Sequence, residues 1–289
     1  MRRLASLLAA VLIAVLAPAT AASAAPKNLQ VMSWNMCGSL NWGCDAYGGP
    51  QDKIDVVKYH VETNYVHAAL LQEVCENDLT LLMNQLGSGW SKSFAPYQHS
   101  TDGVRRTSVC GGTRTDRIGT AIVVKAGMSS PQNYEITHAW NGLARPFHCV
   151  TATYWDTRLC NVHLDPAKNN PDQPDWEYAD DQMKDIQTIV AAFPTLVVGG
   201  DFNVQPQDRP GNARKWLWAD GFWATDAGTP GYRECDQTGA VRDGRDTWTG
   251  NNQSGKLDYV FSTETKRWCA VGDSAYSDHH VVIYSVSVD

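Results

Sequence analysis

Short apolar runs, each long enough for a buried strand, alternate along the chain with stretches whose apolar residues recur at helical spacing. Leu29 to Trp34 reads as a strand, and Gln51 to about Tyr65 reads as a helix with Ile54, Val57 and Val61 on one face. Ala68 to Gln72 is a short buried strand, followed by a helix from about Asn77 to Leu86. Ile118 to Lys125 and Phe147 to Tyr154 read as strands, and Arg158 to Leu164 returns after a turn. Trp176 to Phe193 carries Met183, Ile186, Val190 and Phe193 at helical spacing and stops at Pro194. Thr195 to Val198 is a strand ending in Gly199-Gly200, and Leu257 to Ser262 and His280 to Val288 are late strands. Asp165 to Pro174 is rich in breakers and reads as a surface loop ahead of a helix. The pattern contains no Pro/Ser-rich linker, low-complexity run or repeat, so residues 25–289 are expected to form one domain. Many short strands and few helices imply a mixed α/β (α+β) domain with packed sheets.

The N-terminus sets the compartment. Met1-Arg2-Arg3 is basic, Leu4 to Leu16 is almost wholly Ala, Leu, Val and Ile, and Ala22-Ser23-Ala24 offers small residues to a peptidase. These are the marks of a secretory signal peptide, so cleavage near Ala24 and a secreted product without stable membrane insertion are expected. The apolar stretch is shorter than the ~20 residues of a membrane span. Export makes eight cysteines a disulfide framework, and no C-x-x-C pair supports a zinc site. Cys37 and Cys44 can close a small loop, and Cys149 and Cys160 flank a hairpin. Cys75 with Cys110 and Cys235 with Cys269 are then the remaining pairs.

The 289 residues include 28 aromatics (11 Trp, 11 Tyr and 6 Phe), a globular composition. The formal charge of −7 becomes −9 once Arg2 and Arg3 leave with the leader, which argues against nucleic acid held on a broad basic surface. It leaves open an enzyme that touches a polyanion at one site.

Polar residues concentrate at the ends of the apolar strands. The endings are Ser33-Trp34-Asn35, Leu71-Gln72-Glu73, Asn161-Val162-His163, Gly200-Asp201-Phe202-Asn203, Leu257-Asp258-Tyr259 and Ser277-Asp278-His279. Taken singly, each has a structural explanation as a cap, an Asx-turn or a solvated charge. Taken together, they put carboxylates, histidines and amides on a rigid frame. Glu73 and Asp278 with Asn35 form an all-oxygen set suited to Mg²⁺ or Mn²⁺. A histidine beside a carboxylate can act as a base, and a second can protonate a leaving oxygen. Asp201 and Asn203 are spaced to share one face and hold a water and a phosphoryl oxygen. Arg145, ahead of Pro146-Phe147, can neutralise a phosphate. These are the parts of metal-assisted attack of water on phosphorus.

These motifs resemble the endonuclease/exonuclease/phosphatase superfamily typified by DNase I, over nearly the whole mature chain. The resemblance implies a four-layer α-β-β-α sandwich of two packed mixed sheets with outer helices and a cleft at one sheet edge. It implies that Glu73 binds the metal, assisted by Asn35 and Asp278. By the same resemblance His279 is the base or phosphate-stabilising group, Asp258 orients it, and Asp201 and Asn203 align water and phosphate. His163 matches the general acid of nuclease and sphingomyelinase branches, with Asp116 the one nearby candidate for the carboxylate that buttresses it, and Arg145 maps to the phosphate-binding arginine.

The expected substrate is nucleic acid, cut with little sequence preference by a monomer. A phospholipid head group, as in sphingomyelinases, is the alternative, and a catalytically inert binding module a third. Arg105-Arg106, Arg114 and Arg117 lie in a Gly-rich, Cys-containing loop that reads either as a basic lip for a backbone or as a solvated loop. Trp216 to Phe222 reads as a helix packing on a sheet rather than as a membrane-pressing surface.

Overall fold

The computed structural model describes residues 25–137, 142–166, 177–225, 230–250, 252–273 and 276–289. Residues 1–24, expected to be a leader, Trp176, where the third helix is expected to begin, and most of the Asp165–Pro174 segment lie outside the described residues.

Two mixed sheets carry the fold. The first runs β16 (Thr265–Gly272), β17 (Val281–Val288), β1 (Lys27–Asn35), β2 (Ala68–Cys75), β7 (Arg114–Lys125) and β3 (Trp90–Pro96), with β6 (Val109–Gly111) also pairing β7. The second runs β12 (Arg233–Glu234), β15 (Asp258–Ser262), β11 (Leu196–Asp201), β10 (Thr157–His163), β9 (Phe147–Ala152) and β8 (Met128–Tyr134). Two hairpins stand apart, β4 (Gln98–Thr101) with β5 (Val104–Thr107) and β13 (Trp248–Gly250) with β14 (Gln253–Gly255).

Layering follows from strands whose side chains alternate between two apolar faces. Leu29, Val31, Leu70 and Ile122 of the first sheet meet Val150, Leu159, Val197 and Val260 of the second in a buried inter-sheet core. Trp34, Leu71 and Ile283 face outward against α1 (Pro50–Thr63) and α2 (Glu76–Leu86) through Ile54, Val57, Leu79 and Leu82. On the far side, Val198, Phe202 and Phe261 pack on Met183, Ile186 and Val190 of α3 (Tyr178–Val190). The order helix, sheet, sheet, helix is the expected sandwich. A polar strut crosses its middle: Gln72 donates to the Asn161 side chain at 2.7 Å, and the Asn161 amide donates to the carbonyls of Leu71 and Ala121.

All four expected disulfides are present, Cys37–Cys44, Cys75–Cys110, Cys149–Cys160 and Cys235–Cys269. Cys149 and Cys160 face each other directly across β9 and β10.

Two local expectations are corrected. Residues 216–222 form no α-helix, only a 3-10 turn at Lys215–Leu217. Leu217, Trp218 and Phe222 still enter the core beneath α3, while Trp216 is exposed. A cluster this aromatic fills the space by ring contacts, Trp218 lying 4.9 Å from Trp223 and 5.7 Å from Phe202, without needing helical spacing. The arginine-rich segment is a set of strands, not a loop. Arg105 and Arg106 lie on β5 and Arg114 and Arg117 on β7, where Arg114 pairs with Asp78 and Asp116, Arg117 with Glu76, and Arg105 with Glu135. Most of that positive charge is spent on neighbouring carboxylates, which weakens it as a basic lip.

Candidate active site

Register assembles the site. His163 at the end of β10 lies beside Asp201 on the parallel strand β11, and Asp201 lies opposite Asp258 on the antiparallel strand β15, so one row crosses three strands. On the other sheet, Asn35 ends β1 beside Gln72 on β2, which places Glu73 one residue beyond. Asp278 and His279 precede β17, the antiparallel neighbour of β1. The Trp34 indole donates to the His279 carbonyl at 3.1 Å, and Ser277 Oγ donates to the Asn35 carbonyl at 2.7 Å, which ties this segment to β1.

Close backbone approach is required at two points. A Cβ on Gly200 would fall 1.9 Å from the Val162 carbonyl oxygen, so only glycine lets β10 and β11 bring His163 and Asp201 together. Glu73 and Asn203 adopt left-handed backbone, with φ of 50° and 54°, a conformation that costs a non-glycine residue about 1 kcal/mol or more. Strain held at two candidate site residues fits a preorganised site.

Asp201 is the hub. Its Oδ2 accepts from the Asn35 amide at 3.1 Å and lies 3.5 Å from His163 Nε2 and 3.6 Å from His279 Nε2. Its Oδ1 accepts from the Asn203 backbone N–H at 2.9 Å. Burial pushes Asp201 up to about 7, with the neighbouring Asp258 adding to the rise and His279 opposing it. His279 Nδ1 and Asp258 Oδ2 lie 2.8 Å apart in a buried pair. Burial alone would lower His279, but Asp258 and Asp201 together hold it up at about 10, as an imidazolium.

His163 is the opposite case. Burial, then the charges of Arg145 and His279, lower it well below its ordinary value. Its Nδ1 lies 2.7 Å from the Tyr97 hydroxyl, which itself accepts from the Glu73 backbone N–H. The Tyr97 proton therefore goes to Nδ1, and Nε2 carries the ring hydrogen toward Asp201 and Glu73. Tyr97 is the residue that sequence reasoning missed. Asp116, the expected buttress, is engaged elsewhere, with Arg114 and the Asn77 backbone N–H. Nothing in the segment Ala95-Pro96-Tyr97-Gln98 marked the tyrosine as different from any other edge aromatic.

Glu73, Arg145, His163, Asp201, Asn203, Asp278 and His279 all line one cavity of about 960 Å³. Asn35 and Asp258 stand behind its wall and act through Asp201 and His279. Arg145 is buried, and both its hydrogen bonds, to the Leu164 carbonyl and to Asp165, leave from Nη1.

The carboxylates suit a hard cation. Glu73 accepts from the neutral Asn35 amide and Asp278 from the Trp248 indole, and no lysine or arginine is hydrogen-bonded to either among the described residues. Burial raises Glu73 against the Asn35 amide and the charges of Arg145 and His279, which lower it, and Asp278 adds a smaller rise. Two acids sharing a cavity with neutral donors are what a divalent ion offsets. Asp201, Asp258 and His279 also cluster at ligand spacing, but the Asp258–His279 hydrogen bond accounts for that grouping.

A sequence model of the Endonuclease/Exonuclease/phosphatase family matches residues 32–279, and the chain belongs to that family. A search of curated proteins gives no match. Among solved structures, the fold is similar to an endonuclease/exonuclease/phosphatase family protein from Leptotrichia buccalis, at 15% identity and TM-score 0.60, covering 89% of this chain and 99% of that one. It is similar to D. rerio TDP2 complexed with single-strand DNA product, at 16% identity and TM-score 0.58, covering 89% and 98%. A 3'-5' exonuclease from Neisseria meningitidis gives 14% identity and TM-score 0.55, covering 89% and 98%.

Proposed function

We propose that the protein is a secreted, divalent-metal-dependent nuclease that hydrolyses phosphodiester bonds of nucleic acid. The observation that carries this reading is Asp201 Oδ2, set about midway between two histidine Nε2 atoms at 3.5 and 3.6 Å inside a cavity lined by acids. Asp201, with its carboxyl raised to about 7, takes a proton from the attacking water as the O–P bond forms. His163, neutral with hydrogen on Nε2, donates a hydrogen bond to a phosphoryl oxygen. His279, held as a cation by Asp258, stabilises the added negative charge and gives a proton to the leaving oxygen as the P–O bond breaks. Arg145 offers its second amino group, Nη2, to the phosphate. Glu73 and Asp278 would hold Mg²⁺ or Mn²⁺, which when bound supplies charge neutralisation at phosphorus. Asn35, expected among the ligands, has its Oδ1 engaged by the Cys37 backbone N–H at 2.9 Å and instead orients Glu73 and Asp201 through its amide nitrogen.

Nucleic acid is favoured over phospholipid by the surroundings of the cavity. The β4–β5 hairpin joins the site region through the Gln98–Ala144 bridge, next to Arg145, and contains no Trp, Tyr or Phe to enter a membrane; its Arg105 is paired with Glu135 and adds little to that preference. The TDP2 relative, whose structure holds a single-strand DNA product, supports the same choice by analogy of fold.

The test is incubation of the mature protein with plasmid DNA, RNA and sphingomyelin vesicles, with Mg²⁺ or with EDTA, alongside His279→Ala. Nucleic-acid cleavage that needs metal and falls at least a hundred-fold in the variant is expected. Lipid turnover without nucleic-acid cleavage overturns the substrate, and full activity in EDTA overturns the metal.

A further inference from the structure

One aromatic side chain at the cavity mouth has no role in the chemistry above. Trp42 ends the 3-10 turn Leu40–Trp42, inside the loop closed by Cys37–Cys44. Its indole lines the cavity yet stays 43% exposed, so apolar surface remains to be covered by a ligand. The loop is held in place. The disulfide closes it, and Gly111 and Gly112 of the neighbouring segment give Asn41 and Leu40 room that a Cβ would remove, with contacts at 2.2 and 2.8 Å. The ring is backed by Tyr97, 6.2 Å away and tilted by 32°, and by the Arg145 guanidinium at 5.7 Å. Tyr97 holds His163, so the indole is fixed relative to the reacting groups through a single residue.

We propose that Trp42 is a stacking platform for an unpaired nucleobase adjoining the phosphodiester bound at Arg145 and His163. The proposal rests on the nucleic-acid reading above and narrows it to single-stranded segments or frayed ends. A rigid, half-exposed indole beside a phosphate-binding arginine is what sequence-tolerant base stacking requires. A base within a duplex has both faces covered by its neighbours, whereas an unpaired base has a face to give. The other ligand that seeks an exposed indole is a quaternary ammonium, such as a choline head group. Here it would meet Arg145, a like charge already against the same ring, so a neutral base is the better fit.

Wild type, Trp42→Ala and Trp42→Phe are compared in two measurements. The first is cleavage, with Mg²⁺, of a single-stranded oligonucleotide, of the same strand with base-free spacer residues flanking the cut, and of its duplex. The second is binding of the single strand in EDTA, read by fluorescence anisotropy, which needs no catalysis. Trp42→Ala is expected to lower both kcat/KM and affinity for the single strand about ten-fold or more, with Trp42→Phe between it and wild type. The spacer strand should be cut equally by all three proteins. Unchanged cleavage and binding in Trp42→Ala, or equal losses on spacer and normal strands, overturn the platform. If wild type binds the strand through Trp42 but never cuts it, the platform stands and the nuclease reading falls. If wild type neither binds nor cuts, both fall.

Discussion

The two histidines show how one residue type takes two states from its neighbours. His279, hydrogen-bonded to Asp258, is held charged, while His163, although its Nε2 lies 3.5 Å from Asp201, is held neutral by burial and by the charges of Arg145 and His279. Tyr97→Phe removes the hydroxyl that fixes the His163 tautomer, leaving Nδ1 buried without that partner. The expected result is a folded protein whose melting temperature falls by a few degrees and a kcat reduced about ten- to a hundred-fold, measured on an oligonucleotide substrate with circular dichroism as the folding check. The ligand-type side chains were legible in sequence because each follows an apolar strand. Tyr97 and Trp42 were not, because their roles arise from what lies beside them in space.

His148 gives a pH test remote from the catalytic groups. It is buried on β9, its Nε2 2.8 Å from Ser93 Oγ, and burial followed by Arg158 lowers it to about 4. The unfolded chain protonates this group near 6.5 and the folded chain only near 4. The native state is therefore fully favoured above 6.5 and loses stability as pH falls toward 4, by up to about 3 kcal/mol. His148→Gln should flatten the difference in unfolding free energy between pH 7 and pH 4.5, and an unchanged slope counts against this assignment.

At the scale of elements, the site depends on how strands approach one another. Gly200→Ala should separate β10 from β11 and misplace Asp201, giving insoluble protein or a loss of activity of at least a hundred-fold. Lys256, beside β15, pairs with Glu234 on β12, both side chains fully buried. Lys256→Met leaves a buried acid unpaired and is expected to cost about 3–5 kcal/mol in denaturant unfolding, while Glu234→Leu with Lys256→Met together costs less. Strands buried on both faces, such as Leu29 to Trp34, were visible in the sequence. The edge strands β3, β8 and β16 were not, because one face and one edge meet solvent and their residues carry no clean alternation. Helix boundaries came within a few residues, Pro194 marking one of them, and the 216–222 segment misled because aromatic density imitates a helix face.

For the whole molecule, four disulfides span both sheets and their loops. Reduction removes constraints worth about 2–4 kcal/mol each, so the melting temperature should fall by about 10 °C or more in excess dithiothreitol. An unshifted melt would mean that the bridges do not form in solution. The chain's excess of negative charge has a local meaning too, since part of it is gathered in the cavity where a divalent ion would offset it.

The last consequence concerns timing. Asn35 comes from one end of the chain and His279 from the other, and neither half of the row is complete without the other sheet. A growing polypeptide cannot assemble this centre until Asp278 and His279 have left the ribosome and β17 has paired with β1. Throughout synthesis the nascent chain lacks Asp278 and His279, and any fragment that stops short of residue 279 carries only part of the centre.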